Sequence, residues 1–133
     1  MTTIESFRDL QVWQKSMDLA VRCYRAAQGL PKAEQLVLGF QIRKSSISIP
    51  SNVAEGHSRH STPHYIQHLW TAHASGGELE TQVEFGRRVE LFTELQAEAL
   101  IRDAQEVGRM INGLIRSLER SEQERAMTRH RRR

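Results

Sequence analysis

The chain has 133 residues, 38% of them hydrophobic and 26% charged, with only 3 Pro and 8 Gly. This composition excludes a disordered or collagen-like chain, and the length suits one domain that buries about two-thirds of its unfolded surface. The net charge of +3 is unevenly placed: residues 1–60 carry 8 Lys/Arg against 5 Asp/Glu, residues 61–125 carry 7 against 11, and residues 126–133 carry 4 Arg and no acid.

Helical periodicity runs through nearly the whole sequence, and no stretch alternates at period two. Ser6 or Asp9 can cap a first helix whose main stripe is Leu10, Trp13, Met17, Ala20, Tyr24 and Ala27, stepping by three and four. Val12, Leu19 and Cys23 form a second, weaker stripe. Gly29-Leu30-Pro31 ends the helix, with glycine suited to a left-handed cap. A second helix is predicted from Lys32-Ala33-Glu34 to Gly56, with Leu36, Phe40 and Ile47 on one side and Leu38, Ile42, Ile49 and Val53 on the other. Pro50 should kink it near residues 46–50, among Ser45, Ser46, Ser48 and Ser51.

After a loop from His57, Ser61-Thr62-Pro63 is a start signal for a third helix reaching about Val89 through Ile66, Leu69, Trp70, Leu79, Val83 and Phe85. Gly76-Gly77 lies in its middle, a cost of about 1.5–2 kcal/mol relative to two alanines. Either another backbone comes close there or the helix is locally weak. A fourth helix begins near Phe92-Thr93-Glu94 and carries the cleanest stripe, Leu100, Ala104, Val107, Ile111, Leu114 and Leu118. Past Glu119 it should fray. The expected organisation is an all-α, up-down-up-down four-helix bundle over residues 1–125, followed by a basic, disordered tail over 126–133.

Candidate chemistry is sparse. Cys23, the lone cysteine, reads as a small buried hydrophobe. His64 and His68, four apart, are a weak candidate metal pair, but no acid between His57 and His73 supplies a third ligand. The carboxylates Glu78, Glu80, Glu84, Glu94, Glu98 and Asp103 alternate with Arg87, Arg88 and Arg102, as on a solvated helix face, and Glu78 is expected in a structural hydrogen bond. No nucleophile–base pair, phosphate-binding loop or Cys/His cluster is present, so neither catalysis nor a cofactor is expected. No stretch approaches the ~20 apolar residues of a membrane span and the N-terminus lacks a signal-peptide core, so a cytoplasmic location is expected. Arg129, Arg131, Arg132 and Arg133 form the strongest electrostatic feature; Arg22, Arg25, Arg43 and Lys44 would add to a basic face if the first two helices pack side by side. The alternative for the tail is a solvated terminus.

The run Gln41-Ile42-Arg43-Lys44-Ser45-Ser46-Ile47-Ser48-Ile49-Pro50-Ser51-Asn52-Val53-Ala54-Glu55-Gly56 resembles the bacterial four-helix-bundle family first noticed as proteins encoded by intervening sequences within 23S ribosomal RNA genes. The opening Phe7-Arg8-Asp9-Leu10-Gln11-Val12-Trp13-Gln14, the Leu30-Pro31 pair followed by Glu34, and Glu78-Leu79-Glu80-Thr81-Gln82 are similar to that family as well. The resemblance implies an up-down bundle assembled as a ring-like homopentamer. It also implies a relationship to the accessory proteins of diversity-generating retroelements, which pair with a reverse transcriptase and have basic, nucleic-acid-binding surfaces. Ala74-Ser75-Gly76-Gly77 departs from the family's usual Gly-Ser-Leu-Ala, which bears on the packing and subunit contact of the third helix. Within the motif, Trp13, Pro50, Asn52, Glu55, Gly56 and Glu78 are expected to act structurally rather than in ligand binding: Asn52 tying the kinked segment to a neighbouring backbone, Glu55 pairing with an arginine of the first helix or of another subunit.

Two functions follow. One is a non-enzymatic homo-oligomer that binds RNA or DNA through its basic surface and tail. The other is a structural or protein-interaction module with no nucleic-acid binding, in which wide apolar faces recruit a partner.

Overall fold

A capped turn sets the direction in which the first helix leaves. The computed structural model describes residues 3–132, and in it Phe7–Asp9 form a single 3-10 turn. Ser6 Oγ accepts the Arg8 N–H at 3.2 Å, while the Asp9 carboxylate accepts the Glu5 and Ser6 N–H groups at 2.9 and 3.1 Å. Those backbone donors hold the Asp9 carboxyl below its ordinary range. Both residues proposed as the helix cap therefore cap this turn, and helix α1 (Gln11–Gln28) begins two residues later from Leu10 without a side-chain cap.

Of the more regular stripe of α1 only Ala20 and Ala27 are fully buried, beside the whole of the weaker one. Val12, Ser16, Leu19, Ala20, Cys23 and Ala27 are buried, whereas Met17 and Tyr24 are exposed. The apparently weaker stripe wins because Ser16 belongs to it: its hydroxyl donates to Trp13 O at 2.9 Å, which lets a polar residue sit fully buried in a row that reads as broken. Cys23 is buried as expected, and burial pushes its thiol up to about 12.

Gly29 ends α1 in a right-handed, not left-handed, conformation. The predicted second helix is two. Helix α2 (Lys32–Gln35) is a single turn, and Val37, at φ −110° and ψ −87°, separates it from α3 (Leu38–His57). Helix α3 runs unbroken through Pro50. Gly56 does not stop it; the helix continues to His57.

Helix α4 (Thr62–Arg88) starts from Ser61 with Pro63 in its first turn, as predicted. A turn through Glu90, the sole non-glycine residue at positive φ (63°) among the described residues, leads to Thr93, which forms a capping box with Gln96 at 2.9 and 3.1 Å. Helix α5 (Glu94–Arg131) follows. Its buried face is Ala97, Leu100, Ala104, Val107, Ile111 and Ile115, with Leu114 and Leu118 partly covered. Residues 126–131 continue the helix past the point where its apolar residues run out, so the boundary expected at 125 falls inside α5. Alanine, methionine and arginine are good helix formers, and nothing between Glu119 and Arg131 breaks the ladder.

The long helices pack in the cyclic order α1–α3–α4–α5, with α5 closing against α1. The result is an all-helical four-helix bundle with no strand among the described residues. Leu19, Ile42, Ile49, Leu69, Leu79, Ile111 and Ile115 fill its centre at under 2% exposure. No helix among the described residues is long and apolar enough to cross a membrane.

Candidate functional site

The serine-rich stretch of α3 has two working faces, and the first is turned toward α4. Gly56 is what permits the approach: a Cβ there would lie 2.8 Å from His68 Cβ and 2.9 Å from Tyr65 Cδ1. Beside this contact runs a polar seam. Ser48 Oγ and Ser75 Oγ are 2.8 Å apart, Asn52 Nδ2 donates to Ser48 O at 2.9 Å, and Asn52 Oδ1 lies 3.1 Å from His68 Nδ1. With Nδ2 donating, Oδ1 is the acceptor, so His68 carries its proton on Nδ1. Its Nε2 then faces Glu55 Oε1 at 3.8 Å, and Glu55 also accepts at 3.1 Å from Arg59, just past the end of α3.

Asn52 thus ties α3 to α4, although through the His68 side chain and its own helix rather than a neighbour's backbone. Glu55 pairs with Arg59, not with an arginine of α1. His68 and Ser75 were missed as seam residues. Their seven-residue spacing places both on one face of α4, opposite the Ser48–Asn52 pair four apart on α3, and that double register was available in the sequence. The seam also occupies one nitrogen of the proposed metal pair, His64 and His68, while His64 is exposed. No three His, Cys, Asp or Glu side chains among the described residues could hold a metal ion.

The second face of α3 lines a groove with α1. Trp13, Met17, Val21 and Tyr24 form one wall; Ile47, Pro50 and Ala54 form the other, around about 420 Å³. At its N-terminal end the Trp13 ring packs on Phe7, ring centres 5.3 Å apart, and the Arg8 guanidinium lies 5.8 Å above it. Tyr24 remains 48% exposed and Ile47 54%. Nothing charged lines this groove.

The basic residues expected to share a face on the first two helices are dispersed. Arg22 turns toward α5 and pairs with Asp103, and Arg43 donates to Gln35 O at 3.2 Å. Arg25 and Lys44 are exposed. Arg129, Arg131 and Arg132 are exposed on the last turns of α5, beyond Ile115, the final buried residue; Arg133 lies outside the described residues. Glu78 is exposed on α4 and has no hydrogen-bond or ion partner among the described residues, so the expected structural hydrogen bond is not formed within one chain. Nor does any chain segment approach Gly76 or Gly77: a Cβ at either would meet nothing within 4 Å.

The α4/α5 face is charged and internally matched. Arg87 donates to Glu84 at 2.5 Å and to Glu94 at 2.9 Å, and Arg88 donates to Glu84 at 2.9 Å. These hydrogen bonds draw the Glu84 carboxyl down to about 2. Such a lattice is a solvated helix surface, and a carboxyl drawn down as Glu84 is has no raised affinity to offer proton transfer.

Comparison with known proteins agrees with this architecture. A protein of unknown function from the S23 ribosomal protein family of Bacteroides thetaiotaomicron has a crystal structure that superposes with a TM-score of 0.74 at 28% identity, covering 78% of this chain and 97% of that one. No curated protein matches. The profile of the 23S rRNA-intervening sequence proteins matches residues 8–113, and the chain belongs to that family.

Proposed function

We propose that the protein is a non-enzymatic assembly module, and that the α1/α3 groove is its contact with further copies of itself. The observation that carries this reading is the groove: a regular apolar stripe of α1 and the Ile47–Pro50–Ala54 edge of α3 face outward together with no charged residue between them. Apolar surface of this kind on a small domain marks an interaction site, because leaving it in water forfeits about 25 cal/mol for each Å². A ring of five is the assembly implied by the family resemblance. Sedimentation across a wide concentration range tests the reading, with Val21→Arg as the groove variant. The expected result is an oligomer for the natural chain and a folded monomer for Val21→Arg. A natural chain that sediments as a monomer at high micromolar concentration would overturn it.

A second activity, RNA or DNA binding, is favoured by one observation: α5 carries Arg129 and Arg131 on helical turns beyond the bundle core and ends at the C-cap Arg132, all three exposed. A basic helix presented this way can neutralise phosphates, and the resemblance to retroelement accessory proteins with basic surfaces points the same way. The test is a salt titration of binding to structured RNA, single-stranded DNA and duplex DNA, comparing the full chain with one ending at Glu124. Binding that weakens steeply with salt and drops on truncation supports it. No binding by either chain at low salt, with the oligomer intact, rules it out and leaves the assembly module alone.

A further inference from the structure

The α4/α5 side of the bundle carries a niche that shares no residue with the α1/α3 groove. Its aromatic wall is Trp70 of α4, 49% exposed. Its floor is the buried Ile115 of α5, and Asn112, Arg116 and Glu119 stand around it to enclose about 310 Å³. On α5 these three step by four and three, so they share one helix face. The wall is held from behind. The indole packs edge-on to His73, ring centres 5.8 Å apart, and Asn112 Nδ2 donates across the helix interface to His73 Nε2 at 3.2 Å. With Nδ2 as that donor, Asn112 Oδ1 is an acceptor with no partner among the described residues.

The charges of the niche are left open. Arg116 Nε donates to Asn112 O in its own helix at 3.4 Å, which leaves both terminal nitrogens of the guanidinium unused. Neither Arg116 nor Glu119 makes an ion pair among the described residues, although both are exposed and only three positions apart. Unlike charges at that spacing do pair elsewhere: Glu84 with Arg87, and Glu122 with Arg125 at 3.5 Å on this same helix. Those pairs have the acid first. Here the base comes first, the less favourable order along a helix, and both charges remain available.

We infer that this niche binds a free α-amino acid with an apolar or aromatic side chain. The α-carboxylate takes the two free nitrogens of Arg116, whose planar fork matches it. The α-ammonium takes the Glu119 carboxylate and Asn112 Oδ1, and the side chain lies on the Trp70 indole above Ile115. A zwitterion is selected over a simple anion or cation, because an anion alone is repelled by Glu119 and a cation alone by Arg116. The volume, about 310 Å³, is at the small end of ligand sites and suits a molecule of this size. The site is separate from the surfaces assigned above to self-assembly and to nucleic acid, and it stands whether or not those readings do.

The test uses L-phenylalanine as the probe, beside two compounds that each lack one of its charges. 3-Phenylpropionate has no ammonium, and 2-phenylethylamine has no carboxylate. In calorimetric titrations of the full chain, L-phenylalanine is expected to saturate one site per chain, with half-occupancy at about 1 mM or below. Each of the other two should bind at least about tenfold more weakly. Trp70→Ala should abolish binding. The charge variants should cross: Arg116→Gln is expected to bind L-phenylalanine no better than 2-phenylethylamine, and Glu119→Gln no better than 3-phenylpropionate. Both side chains are exposed, so the circular dichroism and melting of these variants should match the natural chain. Equal affinity for all three compounds, or no saturable binding of L-phenylalanine, would overturn the inference. So would charge variants that lose affinity for every compound alike without that crossing. Tighter binding of adenosine monophosphate than of L-phenylalanine would also overturn it, by making the niche a base-stacking site.

Discussion

Helix α3 meets its two neighbours in opposite ways. Toward α4 the contact is finished within one chain: Gly56 lets the helices approach closely, and Ser48, Asn52, Ser75 and His68 satisfy one another. Toward α1 the inner edge is packed with Ile42, Ile49 and Val53, but the outer edge is left as an open apolar groove. A seam closed by small and mutually bonded polar residues needs nothing further, because its polar groups have partners and its apolar surface is covered. A seam edged with Tyr24 and Ile47 retains apolar surface that only another molecule can cover. The same short motif therefore supplies an internal joint on one side and, in the assembly proposed above, a docking wall on the other.

The sharpest way to test this contrast is to truncate neighbouring isoleucines of α3. Ile49 is 1% exposed and Ile47 54%. Ile49→Ala is expected to cost about 2–5 kcal/mol of unfolding free energy, the range for large core truncations. Ile47→Ala should change the stability of the unassembled chain by no more than about 0.5 kcal/mol while weakening self-association. Denaturant melts with sedimentation separate the two effects; equal losses of stability would show that the groove edge is core after all. Gly56→Ala comes next. The added methyl meets His68 and Tyr65 below 3 Å, so a loss of about 1–3 kcal/mol is expected despite alanine's better helix propensity.

Asn52→Ala should lower stability by about 1 kcal/mol, as expected for a part-buried pair of hydrogen bonds, and should leave oligomer size unchanged if the seam is internal. The smallest effect concerns the charged α4/α5 face. The Glu84 carboxyl is held at about 2, below its ordinary 4.5, by hydrogen bonds from Arg87 and Arg88. A lowered folded value contributes stability fully above pH 4.5 and loses it as pH falls toward about 2. Over that window the natural chain should lose stability more steeply than Glu84→Gln in acid melts at low salt. Parallel curves would mean that the ion pairs are too well solvated to matter.

Much of the fold was legible because helical periodicity reports amphipathicity directly. The stripe of α5, the start at Ser61-Thr62-Pro63 and the capping residue Thr93 stand where periodicity and cap chemistry put them. The turn at Leu36-Val37, which splits one expected helix into α2 and α3, carries neither Gly nor Pro and so gave no local signal. The basic face was not legible either. Arg22 and Arg43 are drawn off by Asp103 and by a backbone carbonyl of α2, partners far away in sequence or set by a turn that the pattern did not show.

By itself the sequence determined that the chain is helical, roughly where its long helices lie, and that α1 and α3 are apolar on more than one side. Those properties depend on residues a few positions apart, and local spacing records them. Which side of α1 faces the core was decided only in the tertiary structure. The regular stripe through Met17 and Tyr24 and the interrupted one through Ser16 are both apolar enough to bury. The choice went to the row of Val12, Ser16, Leu19 and Cys23, whose one hydroxyl bonds within its own turn, joined by the two small members of the regular stripe, Ala20 and Ala27. Met17 and Tyr24, the bulky members of that stripe, stayed outside because a tightly packed four-helix core has no room for them.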